Sequence, residues 1–213
     1  MAQCRITEIF YSLQGETRTV GLPTVFVRLT GCPLRCDYCD TAYAFHGGKK
    51  MEISDIVAEV KSYNPRYVTV TGGEPLAQST CRELLTALCD LGVEVSLETS
   101  GAMDISDIDP RVVRVVDLKT PASGEVSKNR YSNIDLLNHQ DQVKFVICNR
   151  DDYDWAREQL AVFNLVSRCE ILFSPVHGDL TPTDLAEWII ADNLPVRMQI
   201  QLHKYLWNDA QGR

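Results

Sequence analysis

The chain has 213 residues, 45% of them apolar and 23% charged, and carries a formal net charge of −8. This composition suits one folded domain (1–213) with a full hydrophobic core, and its negative balance argues against broad electrostatic binding of nucleic acid. No run of about 18 apolar residues offers a membrane span, and MAQCRITEIF lacks the apolar region of a signal peptide, so a cytoplasmic protein is expected.

Strand-like runs occupy 5–10, 24–30, 66–71, 93–98, 112–117, 142–147, 169–174 and 196–201. They are rich in Val and Ile and nearly continuous in apolar residues, as parallel strands covered on both faces should be. Helical spacing falls between them. Ile53, Ile56, Val57 and Val60 share one face, as do Cys81, Leu84, Leu85 and Leu88, with Gly92 placed to end that helix. REQLAVF (157–163) follows an acidic start, and TPTDLAEWII (181–190) opens on Thr181 as N-cap with Pro182 and Asp184 behind it. Alternating strand and helix predicts an α/β fold with right-handed crossovers, an open partial (β/α) barrel of about six units. In such sheets sites gather at the carboxyl ends of the strands. GCPLRCDYCDT, TGGEP, ETSG, DLKTP, SPVHG and QLHKYLW all fall after strands.

Eight cysteines in a chain without a signal peptide indicate a reducing compartment. Cys81, Cys89, Cys148 and Cys169 sit in apolar patterns and read as small buried hydrophobes. Cys32, Cys36 and Cys39 do not. Thiolates bind soft metals, and a zinc site with His46 as fourth ligand is one reading, although structural zinc usually takes two CxxC-type pairs. Three cysteines on a four-iron cluster leave one iron open to a chelating molecule. His46 and His139 otherwise read as surface histidines, and Trp155, Trp188 and Trp207 as packing residues. A glycyl-radical activase, acting on a protein, is a further alternative that shares CxxxCxxC.

CxxxCxxC with Tyr38 before the last cysteine resembles the signature of the radical SAM superfamily, in which S-adenosylmethionine (SAM) chelates the unique iron of a [4Fe–4S] cluster and is cleaved to a 5′-deoxyadenosyl radical. TGGEP resembles that superfamily's SAM-contacting motif: two glycines allow close backbone approach, and Glu74 offers acceptors for an ammonium. Taken together, EIFYSLQGE, FVRLTGCPLRCDYCDT, TGGEP, LETSG and QLHKYLW resemble the 7-carboxy-7-deazaguanine synthase family over nearly the whole chain. The resemblance implies a radical SAM lyase of queuosine and 7-deazapurine biosynthesis. Its substrate would be 6-carboxy-5,6,7,8-tetrahydropterin and its added metal Mg²⁺, with hydrogen removal at C6, ring contraction, loss of ammonia and regeneration of SAM. It implies a homodimer and an electron donor of flavodoxin or ferredoxin type.

The resemblance also assigns residues. Cys32, Cys36 and Cys39 would hold the cluster and Thr41 the Mg²⁺. SAM would meet Tyr38, Cys39, Asp40, Gly73, Glu74, Asp117, Leu118, Lys119, Ser174, Pro175, Val176 and His177, with Glu98 and Ser100 as further candidates. The pterin would meet Leu13, Gln14, Gly15, Glu16, Arg28, Thr71 and Lys204. Arg28 stands among apolar neighbours, where a charge needs a partner; its planar fork suits a substrate carboxylate, and a buried acid is the other possibility. Relatives with QGEG contrast with QGET here, and Asp-Leu-Lys stands where some relatives have Ser-x-Lys, so Asp117 is free to bind ribose hydroxyls instead.

Overall fold

The computed structural model describes residues 2–208 and 210–213. The apolar runs form strands β1 (Gln3–Leu13), β2 (Pro23–Leu29), β3 (Lys49–Glu52), β4 (Tyr67–Gly72), β5 (Glu94–Thr99), β6 (Val113–Asp117), β7 (Gln142–Ile147), β8 (Glu170–Pro175) and β9 (Arg197–Met198). They make one nine-stranded sheet in the order β3-β1-β2-β4-β5-β6-β7-β8-β9. From β2 onward every neighbouring pair is parallel, whereas β1 runs antiparallel to both β2 and β3. The two ends of the sheet do not meet, so the barrel is open, as the alternation predicts.

Helices α1 (Ile53–Ser62), α2 (Cys81–Cys89), α3 (Arg150–Val162), α4 (Pro182–Ala191) and α5 (Leu202–Trp207) complete the fold. α1 buries Ile56 and Val60, and α2 buries Cys81, Leu84, Leu85 and Leu88, the stripes read from their spacing. Thr181 Oγ1 accepts from the Asp184 amide and caps α4. Among the described residues no helix is long and apolar enough to cross a membrane.

Three features differ from the expectation. α3 starts before 157, because the Asn149 side chain accepts from the Asp152 amide and caps the chain there. β3 is an added edge strand of KKME, too charged to read as a strand. The crossovers 100–112 and 118–141 contain turns and 3₁₀ segments but no α-helix. Side-chain amides replace helical hydrogen bonds in them: Asn129 bonds both backbone groups of Lys119, and Asn133 donates to the carbonyls of Gly101 and Met103.

Candidate active site

Parallel register brings residues far apart in sequence into rows across the sheet. Glu8 lies opposite Arg28, and Arg28 opposite Thr71. One step beyond the Val70–Leu97 pair, Thr71 meets Glu98, and its hydroxyl donates to Glu98 Oε2 at 3.2 Å. In the same way Asp117 lies opposite Lys144. Arg28, Thr71, Glu98, Asp117 and Lys144 line one cleft of about 460 Å³, a size usual for small-molecule sites.

The segment after β1 enters from the other end. Because β1 is antiparallel, Leu13 pairs with Pro23, so Gln14–Thr17 start at the amino ends of the parallel strands. The loop then crosses beneath the sheet. The Thr17 amide donates to Gln199 Oε1, and the Arg18 amide to Gln142 Oε1, both at 2.8 Å. Thr17 holds φ +68°, the left-handed conformation that glycine would adopt freely at the position of the last Gly in QGEG. α5 seals the corner: the Leu202 amide donates to the Gly15 carbonyl at 3.0 Å. A Cβ on Gly15 would lie 2.2 Å from His203 Nδ1, so only glycine permits this packing. The cleft is thus a well with LQGE at its floor and the cysteine loop at its rim.

On the rim, Cys32, Cys36 and Cys39 are free, half-buried and all in the cleft wall. Burial lifts the Cys32 thiol and pushes Cys36 up to about 11, so loading a metal centre releases protons. Among the described residues no group of three or more His, Cys, Asp or Glu side chains is gathered tightly enough to hold a single ion. His46 is exposed. The Gly72–Gly73 turn presses on this loop: a Cβ on Gly73 would lie 2.3 Å from the Gly31 carbonyl oxygen and 2.8 Å from Cys32 Cβ. The Thr41 hydroxyl donates to Asp40 Oδ1 at 2.8 Å. Asp40 Oδ2 lies 3.3 Å from Lys204 Nζ and accepts from Gln201. Burial works upward on Asp40, but Lys204 and Thr41 outweigh it and hold its carboxyl below the usual range.

Arg28 has a protein partner and a free side at once. Its Nε donates to Glu8 Oε1 at 2.7 Å, while the guanidinium lies 5.8 Å from the ring centres of Phe10 and of Tyr43. Among the described residues its terminal nitrogens make no hydrogen bond, and they belong to the cleft wall. The buried-acid reading and the ligand reading are therefore compatible.

Most of the residues singled out from sequence reach the cleft, including Leu13, Gln14, Gly15, Glu16, Tyr38, Thr71, Ser100, Lys119, Val176, His177 and Lys204. Glu74, Leu118, Ser174 and Pro175 do not line it. Glu74 is fully buried, and its carboxylate accepts from the Leu76 amide, Thr99 Oγ1, the Ser100 amide and Ser100 Oγ. Protein donors surround it, so it acts as a bracket that ties the TGGEP turn to the ETSG turn and has no face toward a ligand ammonium. Leu118 is core, because its amide continues the sheet to the Lys144 carbonyl. Glu98 also departs from the expectation: it sits with Gln14 and Thr71, in the part of the cleft expected for the pterin, because strand register places it there. Gln14 in turn spends its amide protons on Thr69 and Glu98. Cys148 is only half-buried, unlike Cys81, Cys89 and Cys169. Burial, then Asp152, pushes its thiol up to about 12.

Lys144 and His203 were not singled out from sequence. Lys144 carried the same signal as Arg28, a lone charge in an apolar strand. His203 adjoins Lys204, and burial lowers its imidazole pKa.

An open partial barrel whose rim carries three free thiols is the frame of the radical SAM class, and a model of the Radical SAM superfamily matches residues 26–116. The crystal structure of QueE from Escherichia coli shares the fold, with a TM-score of 0.73 at 24% identity over 94% of this chain and 95% of that one. Two 7-carboxy-7-deazaguanine synthases are similar in sequence. That of Chlorobaculum tepidum is 47% identical over 99% of this chain and 98% of its own length. That of Koribacter versatilis is 44% identical over 95% and 96%. The chain belongs to the 7-carboxy-7-deazaguanine synthase family.

Membership in the class implies a [4Fe–4S] cluster and SAM, and the residues present fit both. The three thiols share one wall, and the Gly73 cradle would be filled by any Cβ. Asp117 Oδ1 is buried in the same cleft without a hydrogen-bond partner among the described residues, an acceptor left open for a donor on a bound group.

Proposed function

We propose that this chain converts 6-carboxy-5,6,7,8-tetrahydropterin to 7-carboxy-7-deazaguanine and ammonia. The observation that carries the reading is the single row Arg28–Thr71–Glu98, anchored by Glu8 behind Arg28, which lies in one cleft with the three rim thiols. The open terminal nitrogens of Arg28 suit the substrate carboxylate in a bidentate pair. Glu98, further along the row, and Glu16, on the floor loop, offer acceptors to the N–H groups of the pterin edge. Burial pushes the Glu98 carboxyl up, and Lys144, Arg28 and Thr71 moderate the shift. Glu16 Oε1 is buried without a partner among the described residues.

The cluster and SAM, when bound, supply the radical that takes hydrogen from C6. The chain's own residues do the rest of the positioning. Tyr38, Asp40, Gly73, Ser100, Asp117, Lys119, Val176 and His177 form the half of the cleft nearest the thiols and would enclose SAM. Thr41, whose hydroxyl proton goes to Asp40, keeps its lone pairs for Mg²⁺, a metal that prefers oxygen ligands and retains several waters. Substrate and product differ by the elements of ammonia alone, so the net reaction consumes no oxidant. An electron donor of flavodoxin or ferredoxin type, a homodimeric assembly and a cytoplasmic setting belong to the same reading.

The test is anaerobic incubation of the reconstituted protein with SAM, dithionite, Mg²⁺ and the carboxypterin, followed by mass spectrometry. A mass loss of one ammonia in the pterin-derived product is expected. SAM cleavage without any deazapurine would overturn the substrate assignment.

A further inference from the structure

Lys144 stands on β7 in QVKFVI, the one charged residue of that strand, with only 12% of its side chain exposed. Its ammonium lies 3.3 Å from Glu16 Oε2 and 3.7 Å from Asp117 Oδ2. Those two carboxylates arrive from opposite directions. Glu16 comes up from the floor loop, and Asp117 sits at the carboxyl end of β6, nearer the thiols. Asp117 Oδ2 also receives Lys119 Nζ at 2.9 Å. Each carboxylate therefore has one oxygen held by lysine, while the other, Glu16 Oε1 or Asp117 Oδ1, is buried and unpartnered among the described residues.

We propose that Lys144 is a positioning residue that joins the two halves of the cleft, fixing Glu16 for the pterin and Asp117 for SAM so that binding of either ligand favours the other. The inference rests on the functional reading above. A buried ammonium between two carboxylates has little freedom to leave either, and a buried carboxylate that loses its cation turns toward water or takes up a proton. A ligand that donates to Asp117 Oδ1 fixes that carboxylate, which fixes Lys144 and hence Glu16. The second ligand then meets a site already ordered, which is positive coupling, and the coupling is reciprocal. Electrostatics agree: burial works against the Lys144 charge, but Glu16, Asp117 and Glu98 outweigh it and hold its pKa above the ordinary lysine value.

The test uses the cluster-reconstituted protein without reductant, so that no turnover occurs, and anaerobic titration calorimetry. The dissociation constant of SAM is measured with and without saturating 6-carboxy-5,6,7,8-tetrahydropterin, and that of the pterin with and without SAM. In the unaltered protein each ligand is expected to tighten the other at least fivefold. Lys144→Met keeps the bulk and removes the charge. It should weaken the pterin at least tenfold and bring the coupling factor to about one, and Lys144→Arg should restore part of both. A lysine that serves only folding would lower the melting temperature and leave affinities and coupling unchanged, and that result would overturn the proposal. Should Lys144→Met fail to fold, Asp117→Asn carries the same test. It frees Lys144 to move toward Glu16, and an unchanged pterin affinity there would also overturn it. Pterin binding by the unaltered protein with no effect of either variant refutes the coupling alone. Absence of pterin binding by the unaltered protein refutes the functional reading, and the coupling with it.

Discussion

Glu74 distinguishes a structural acid from a ligand-binding one, and Glu74→Gln measures which it is. The carboxylate receives four donors: Oε1 takes the Leu76 amide, Oε2 takes the Ser100 amide and hydroxyl, and Thr99 Oγ1 reaches both. A glutamine has the same bulk but only one acceptor oxygen. Placed where Ser100 needs it, that oxygen turns the NH₂ group toward the Leu76 N–H. A charge-assisted hydrogen bond disappears, worth about 1.5–3 kcal/mol, and a buried backbone donor is left alone at a cost of about 1–3 kcal/mol. The terms overlap, so the expected loss of unfolding free energy is about 3 kcal/mol, or roughly 6–12 °C in melting temperature for a domain of this size. Urea unfolding of the cluster-free protein followed by circular dichroism reads it directly. Unfolding free energy within about 0.5 kcal/mol of the unaltered value, together with much weaker SAM binding, would refute the bracket and return Glu74 to the ligand contacts.

Gly73→Ala should fail at the cluster. The new Cβ would lie 2.3 Å from the Gly31 carbonyl oxygen, a backbone atom that cannot rotate away, and 2.8 Å from Cys32 Cβ. Iron incorporated per chain on reconstitution should fall well below that of the unaltered protein, and full incorporation would show that the loop has slack. Thr17 gives an ordering. At φ +68° a side chain costs about 1–2 kcal/mol, which alanine keeps and glycine removes. Both variants lose the Thr17–Thr19 hydroxyl contact. Thr17→Gly should therefore be more stable than Thr17→Ala by about 1 kcal/mol in chemical unfolding, and the reverse order would show that φ is not the governing term.

What the sequence disclosed depended on how local each signal was. The thiol spacing, the double glycine and the apolar runs are local, and they led to the rim and the sheet. The α1 and α2 stripes and the Thr181 cap are likewise written within a few residues. The two helix-free crossovers were hidden because asparagine side chains hold their backbone from ten or more positions away. Glu74 and Glu98 show the same limit at the site. Both are acids at strand ends, and nothing local tells which is enclosed by protein donors and which faces the cleft. Parallel register decides that, and register depends on strands that are distant in sequence. Lys144 differs in kind: its signal was present, a single charge in an apolar strand, and it had the same claim as Arg28.

The charges of the cleft sort by their partners. Glu8 is matched to Arg28, Glu16 to Lys144, Asp117 to Lys119 and Asp40 to Lys204. Among the described residues Glu98 has hydrogen bonds from Gln14 and Thr71 but no ion pair. A chain of net charge −8 thus neutralises Glu16, Asp117 and Asp40 of the cleft in place, and Glu8 behind Arg28, which lessens repulsion of an anionic carboxylate by bulk charge. Glu98 is the cleft acid whose carboxyl burial pushes up. A ligand with a carboxylate at one end and neutral N–H donors at the other then has a favoured orientation along the Arg28–Thr71–Glu98 row. Its charged end finds the open terminal nitrogens of Arg28, and its donor edge finds at Glu98 a buried acceptor without an ion pair among the described residues. Reversing the ligand would set carboxylate against carboxylate in a low-dielectric wall, a juxtaposition that costs far more than a lost hydrogen bond. Orientation here follows from where the cations are missing as much as from where they stand.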